Sequence, residues 1–220
     1  MIKKPVGIIR FLGTNCDRDI WSAVEAVGGK PSWIWHEDRF DAAAYSGLVV
    51  PGGFSYGDYL RAGALAARSR VMKGIAEAGK KGIPIIGICN GFQILCESNL
   101  LPGALVQNSG QRFIDKWVGL KLERTNKFWA SGYSQGREIS LPIAHGEGRF
   151  YAPEDELKRI EDQGQVWWRY AQNPNGALND IAGVTNVEGN IAALMPHPER
   201  ALFTWMQGTD GLAFFSSLMA

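Results

Sequence analysis

The sequence predicts an α/β fold: a mainly parallel sheet flanked by helices, with an antiparallel extension in the second half. Three observations carry this. Short apolar runs alternate with segments of helical periodicity from Val6 to Cys96. The run Ile83-Pro84-Ile85-Ile86-Gly87-Ile88 is apolar on both faces, as a strand at the centre of a parallel sheet must be. From Val118 onward the apolar runs are separated by short polar turns, the pattern of strands that return antiparallel.

Taken in order, Val6-Gly7-Ile8-Ile9-Arg10-Phe11 reads as a buried strand. Ile20, Val24 and Val27 then lie at helical spacing after Asp17, and Gly28-Gly29 ends that helix. Trp33-Ile34-Trp35 and Leu48-Val49-Val50 are the next two strands, the latter running into Pro51-Gly52-Gly53. Val71, Met72, Ile75, Ala76 and Ala78 mark a helix that stops near Lys80-Lys81-Gly82. After the fourth strand a helix is expected to bury Phe92, Leu95 and Cys96. In the second half Val118-Gly119-Leu120-Lys121-Leu122, Glu138-Ile139-Ser140-Leu141 and Val166-Trp167-Trp168-Arg169-Tyr170 are short strands. Residues 181–187 and 191–194 flank Glu188-Gly189-Asn190, a hairpin signal, and a closing helix is expected over residues 211–219. Neither a repeat nor a long linker interrupts the pattern, so residues 1–220 are expected to form a single domain.

Composition narrows the function classes. The 220 residues are 45% hydrophobic and 20% charged, which excludes a disordered chain. Lys+Arg 23 against Asp+Glu 22 leaves a net charge of +1, with no basic stripe for nucleic acid. No apolar run approaches the ~20 residues that span a membrane, and no secretory leader is evident at Met1-Ile2-Lys3-Lys4-Pro5. Cys16, Cys89 and Cys96 make an odd set without a CxxC pair, which argues against a disulfide framework. A cytoplasmic location is expected. The three histidines, His36, His145 and His197, lack metal-ligand spacing, so no metal site is expected, and no phosphate-binding lysine loop is present.

Gly87-Ile88-Cys89-Asn90-Gly91 has the form of a nucleophile elbow with Cys in place of Ser. The glycines are there because flanking side chains would strike backbone in a sharp strand-to-helix turn. The helix N-terminus behind Cys89 favours a thiolate, and the Asn90 N–H is placed to donate to a developing oxyanion. The same pentapeptide also suits a small buried cysteine in a tight turn. A cysteine nucleophile needs a base, and His197 lies in Met195-Pro196-His197-Pro198-Glu199, where two prolines stiffen the chain. Glu199 is spaced to accept the second ring N–H of His197 and fix its tautomer. The backbone of Gly52-Gly53, at the end of the third strand, offers a close approach to substrate, with the Gly53 N–H as a second oxyanion donor. Cys96, on the apolar helix face, is expected in the core. Cys16, in the first strand-to-helix loop, is expected to be structural, and His36 to be a solvated strand end.

Gly87 to Gln93 matches the G-x-C-x-G-x-Q pattern of triad-type, class I glutamine amidotransferases. Pro51-Gly52-Gly53 and His197-Pro198-Glu199 match the family's other two hallmarks in the expected order. Residues 13–17, 53–63 and 142–150, and the segment around residues 211–215, resemble the glutaminase subunits of phosphoribosylformylglycinamidine synthase. The resemblance implies a flavodoxin-like fold in which Cys89 attacks the side-chain amide of glutamine, His197 acts as base and then acid, and Glu199 orients His197. Gly53 and Asn90 would form the oxyanion hole. Gln93 would help seat the glutamine; apart from the resemblance, Gly52 and Phe54 beside the third strand, and Asn108 in the polar run Asn108-Ser109-Gly110-Gln111-Arg112-Phe113 as a candidate for the α-carboxylate, are expected to contact it. The resemblance further implies no cofactor in this chain, and a separate synthetase subunit that uses ATP, Mg2+ and formylglycinamide ribonucleotide in purine synthesis. A small third subunit is expected beside it. Residues 54–63 and the loop 144–150, with His145, Glu147 and Arg149, are expected to face the partner. Two other readings stand beside this one: the glutaminase of a different amidotransferase, and a catalytically silent glutamine-sensing subunit.

Overall fold

The computed structural model describes residues 4–129 and 133–219. The parallel half is built from β1 (Val6–Arg10), β2 (Pro31–Trp35), β3 (Gly47–Val50) and β4 (Ile85–Ile88). The connecting helices are α1 (Asp17–Ala26) and α2 (Val71–Lys80), and α3 (Asn90–Glu97) follows β4. Beyond them come β5 (Ala104–Val106), β6 (Ile114–Leu122), β7 (Glu138–His145) and β8 (Arg149–Tyr151). The chain ends through α4 (Glu154–Asp162), β9 (Val166–Tyr170), β10 (Ile181–Thr185), β11 (Ile191–Leu194) and α5 (Leu212–Ser216).

Among the described residues one nine-stranded sheet has the order β2-β1-β3-β4-β11-β10-β9-β6-β7. β2, β1, β3, β4 and β11 are parallel neighbours, and β10, β9, β6 and β7 continue antiparallel. This is the mainly parallel sheet with an antiparallel extension that the sequence predicts. A separate ribbon pairs β5 with β8.

The central strands are apolar on both faces because helices cover both. Ile85, Ile86 and Ile88 are fully buried, each removal from water being worth ~1.5–3 kcal/mol. α1 turns Ile20, Ala23 and Val24 inward, carries Asp17 and Asp19 in its positively polarised first turn, and is closed by Gly28 at φ +74°. α2 buries Val71, Met72, Ile75 and Ala78. In the antiparallel half Trp167 and Trp168 pack with Phe214 of α5 at ring distances of 5.5 and 5.7 Å. The buried apolar side chains form one contiguous core from Val6 to Leu218. No helix among the described residues is long and apolar enough to cross a membrane.

Two elements escape the sequence reading. α4 has only Leu157 and Ile160 as apolar residues, too few for a periodic signal. Its three acidic residues after Pro153 are a helix-start signal that would have located it. The three-residue β5 is too short to show alternation. β7 is longer than expected: it runs on through Pro142 to His145, so His145 is a strand residue and not part of a loop.

Candidate active site

Sheet topology assembles the site. β3, β4 and β11 lie side by side and parallel, with Val50 opposite Gly87 and Leu194 opposite Ile88. The three chains therefore leave the sheet at the same edge, where ligands bind in open α/β sheets. Gly52 and Gly53 follow β3, Cys89 follows β4, and His197 follows β11. The N–H of Cys89 donates to the Leu194 carbonyl at 2.9 Å, and that of His197 to the Pro142 carbonyl of β7 at 2.8 Å.

Cys89 has φ +50° and ψ −106°, a conformation that costs a non-glycine residue roughly 1–3 kcal/mol. The surrounding packing imposes it. A Cβ on Gly91 would lie 1.9 Å from the Val50 carbonyl oxygen, and one on Gly87 would lie 2.6 Å from Leu95 and 2.9 Å from the Gly91 backbone. Only bare backbone allows α3 to start so close to β3. The turn is the strained elbow expected from the sequence, and it points Cys89 into a cavity of about 170 Å3. Gly53, Phe54, Asp58, Gln93, Phe113 and residues 144–147 form the rest of its lining.

His197 and Glu199 are buried, at 2% and 0% exposure. The Nδ1–H of His197 donates to Glu199 Oε1 at 2.6 Å, leaving Nε2 without a hydrogen-bond partner. Burial works against a charged ring. The Glu199 carboxylate, followed by Cys89 and Cys16, outweighs it and moves the His197 pKa well above the ordinary histidine range. The Gly53 N–H has no partner among the described residues, and the Asn90 N–H is an orphan donor of the first turn of α3. Gly53 has φ +149°, and a Cβ there would meet the Gly13–Asn15 backbone within 2.8 Å.

The structure therefore brings Cys89, His197, Glu199, Gly52, Gly53 and Asn90 together. Phe54 and Gln93 line the cavity. Gln93 also braces it, donating to the Glu147 carbonyl at 2.6 Å and accepting from Asn90 Nδ2 at 2.7 Å. Asn108 is not brought to the cavity. Its Nδ2 donates to the carbonyls of Arg112 and His145, both at 2.9 Å, and its Oδ1 accepts from the Gly148 N–H at 3.1 Å. With its amide spent on the backbone beneath residues 145–148, Asn108 shapes the wall and has nothing left for a substrate.

Two further expectations need correction. Segment 144–150 is not an open loop: His145, Gly148 and Phe150 are buried, and Arg149–Tyr151 pair with β5. His36 is buried rather than solvated, with its Nδ1 2.7 Å from the Tyr56 hydroxyl, which anchors the 54–63 segment. Cys16, expected to be structural, lies beside the site. It is buried against His197, and Arg200 Nη2 donates to its sulfur at 3.3 Å. Cys96 sits in the core as expected, where burial raises its pKa well above the usual thiol value.

Asp58 and His145 are the site residues the sequence reading missed. Burial, then the nearby Glu147 charge, lifts the Asp58 carboxyl to about 6 against a hydrogen bond from Asn90. Burial, then the charge of His197, lowers His145 to about 4, so its ring is neutral. Neither His145 nitrogen has a hydrogen-bond partner. The available signal was His145-Gly146-Glu147-Gly148, a polar cluster with glycines directly after an apolar strand.

Comparison with known proteins places the chain in a family. Residues 3–210 match the family model of the CobB/CobQ-like glutamine amidotransferase domain. Phosphoribosylformylglycinamidine synthase subunit PurQ of a Nostoc species is 51% identical over 215 residues, 97% of this chain and 96% of the relative. A chain of the solved PurLQS structure from Thermotoga maritima superposes with a TM-score of 0.90 at 44% identity, covering 99% of this chain and 98% of that one. A glutamine amidotransferase from the same organism shares the fold at 20% identity, with a TM-score of 0.60 over 94% of this chain and 82% of its own. The chain belongs to the CobB/CobQ-like glutamine amidotransferase family and, within it, to the PurQ subunits of phosphoribosylformylglycinamidine synthase.

Proposed function

We propose that this chain is the glutaminase subunit of phosphoribosylformylglycinamidine synthase. It hydrolyses glutamine to glutamate and ammonia and passes the ammonia to an ATP-dependent synthetase subunit. That partner converts formylglycinamide ribonucleotide to formylglycinamidine ribonucleotide, with ATP and Mg2+ held in the partner and a small third subunit completing the complex. The observation that carries the reading is the buried His197–Glu199 pair meeting Cys89 on its strained elbow. Three free thiols fit a reducing, cytoplasmic setting.

Glutamine enters the cavity with its side-chain amide toward Cys89. The sulfur attacks as a thiolate, its proton held on His197 Nε2. The amide oxygen becomes an oxyanion that accepts from the Gly53 and Asn90 N–H groups, which need no reorganisation to receive it. His197 returns the proton to the departing nitrogen, ammonia leaves and a glutamyl thioester remains on Cys89. Water, deprotonated by His197, then releases glutamate and restores the thiol. Glu199 keeps the Nδ1 proton in place throughout, so that Nε2 alone exchanges protons. At the far end of the cavity the ammonium group of glutamine faces Asp58 and Glu147.

The test is reconstitution with synthetase and small subunits. The intact complex is expected to aminate formylglycinamide ribonucleotide with either glutamine or added ammonia. Cys89→Ala is expected to lose the glutamine-dependent rate and keep the ammonia-dependent one. A glutamine-dependent rate that survives in Cys89→Ala removes the assignment.

A further inference from the structure

In the reaction proposed above Asn90 acts through its backbone N–H, and its side chain has no part. That side chain is buried, at 2% exposure, and its amide is fully engaged. Oδ1 accepts from the Ser55 N–H at 3.1 Å, while Nδ2 donates to Gln93 Oε1 at 2.7 Å and to Asp58 Oδ1 at 3.4 Å. The neighbours fix which way the amide points. Gln93 gives its own Nε2–H to the Glu147 carbonyl at 2.6 Å, so its Oε1 is left to face Asn90, and the Ser55 N–H requires an acceptor. Asparagine supplies both kinds of group. Aspartate would set an acceptor against Gln93 Oε1 and a second charge beside Asp58.

The segment that Asn90 grips does not hold its own shape. Tyr56, Gly57 and Asp58 have φ of +54°, +67° and +53°, a run that persists only where contacts outside it impose it. One side is tied to the first strand-to-helix loop. The Phe54 N–H donates to the Gly13 carbonyl at 3.0 Å, the Tyr56 N–H to the Leu12 carbonyl at 2.7 Å, and the Gly52 carbonyl accepts from the Cys16 N–H at 3.2 Å. Among the described residues, the hydrogen bonds that join residues 53–58 to α3 are the two made by the Asn90 side chain. Ser55 is itself buried, so without Asn90 its N–H would be left unsatisfied. Gly53 lies two residues before Ser55. The Gly53 and Asn90 N–H groups come from different elements, yet one side chain, one hydrogen bond and two residues of backbone connect them.

We propose that the Asn90 side chain is a positioning residue of the oxyanion hole: it sets the separation of the Gly53 and Asn90 donors by clamping residues 53–58 onto the first turn of α3. Donors stabilise an oxyanion well only when they are already in place, and a misplacement of about 1 Å costs on the order of a hundredfold in rate. The inference rests on the glutaminase reading of the site and adds to it a role for a side chain that touches neither glutamine nor the reacting atoms.

The test uses the complex reconstituted with synthetase and small subunits. The glutamine-dependent rate of each preparation is read against its own ammonia-dependent rate, which corrects for assembly. Asn90→Ala keeps the N–H at position 90 and loses all three side-chain hydrogen bonds. It is expected to lower kcat for glutamine by roughly ten- to a hundredfold, short of the ~10²–10³ that losing a donor outright costs. The change in KM is expected to be smaller, the reverse of the split for a residue that grips the substrate. Alkylation of Cys89 by iodoacetamide, located by mass spectrometry, is the control. There the sulfur displaces iodide in one step and no oxyanion forms, so the variant is expected to react as the parent does. If the alanine variant does not fold, Asn90→Ser, whose hydroxyl ends one bond short of the Ser55 N–H, carries the same expectations. A parent-like kcat in a folded Asn90 variant overturns the proposal. So does a loss of alkylation in proportion to the loss of kcat, which would make the side chain a support of the whole elbow. A parent complex that releases no ammonia from glutamine while Cys89 still alkylates would overturn the function, and the proposal with it.

Discussion

Asp58 and Glu147 face the cavity together, with no Lys or Arg in its lining among the described residues. Two carboxylates so placed invite an ammonium group. Glu147→Gln and Asp58→Asn are expected to raise the KM for glutamine by roughly ten- to a hundredfold with a smaller change in kcat, since a charged hydrogen bond is worth ~1.5–3 kcal/mol. Asparagine is the fitting replacement at position 58 because that residue has φ +53°, which Asn tolerates. An analogue of glutamine lacking the amino group should show the same kcat/KM with parent and variants. If it weakens as glutamine does, these residues shape the wall and do not read the substrate. The Asp58 carboxyl lies at about 6, raised first by burial and then by Glu147. It must be ionised to hold the ammonium, so kcat/KM is expected to fall below about that pH. Glu147→Gln removes one of the two raising causes and should move this acid limb to lower pH; an unmoved limb would contradict the pairing. His145 sets a pH dependence of stability. Burial lowers it to about 4, so between an unfolded value of ~6.5 and 4 the unfolded chain binds the extra proton. Stability is then full above ~6.5 and declines toward pH 4, by on the order of 3 kcal/mol from this ring. Denaturant midpoints at several pH values should show a flatter decline in His145→Gln than in the parent.

The elbow is the element on which the site turns, and it was the most legible part of the sequence. Gly87 and Gly91 signalled a backbone approach too close for side chains, and Val50, Leu95 and Gly91 itself supply the predicted collisions. Gly91→Ala is accordingly expected to lower stability by ~3 kcal/mol or more. Gly110→Ala, where a Cβ meets nothing within 4 Å, should be neutral or stabilising by up to about 1 kcal/mol. Equal effects in thermal or denaturant unfolding would show that the turn does not depend on those contacts. Strands with continuous apolar runs were equally plain, because both faces of β3 and β4 are covered and no polar residue interrupts them. The least legible parts depend on partners distant in sequence. α4 is mostly charged and is held by few apolar residues. Asn108 looked like a ligand because polarity does not reveal that its amide is consumed by Arg112, His145 and Gly148. The proximity of Cys16 to His197 was not legible in the sequence because it exists only once β1 and β11 end at the same edge of the sheet.

At the scale of the molecule, the division between parallel and antiparallel halves has a purpose. The parallel half carries Cys89, Gly53 and Asn90. The antiparallel half supports His197, with the Pro142 carbonyl of β7 accepting from the His197 N–H, and closes the cavity with residues 144–147. Beside the cavity, Phe54, Tyr59 and Leu60 are exposed at 50%, 74% and 85%, on a segment with positive φ at Tyr56, Gly57, Asp58 and Leu60. An apolar rim of this kind suits coverage by the synthetase partner, which would keep ammonia from protonating in solvent. All of this depends on Cys89 being the atom that carries the glutamyl group. The direct measurement is acid quench of the intact complex during glutamine turnover, followed by mass spectrometry of the peptide that contains Cys89. A glutamyl adduct on Cys89, absent in Cys89→Ala, is the predicted result. Steady ammonia release with Cys89 unmodified, or with the adduct on Cys16 instead, would contradict it.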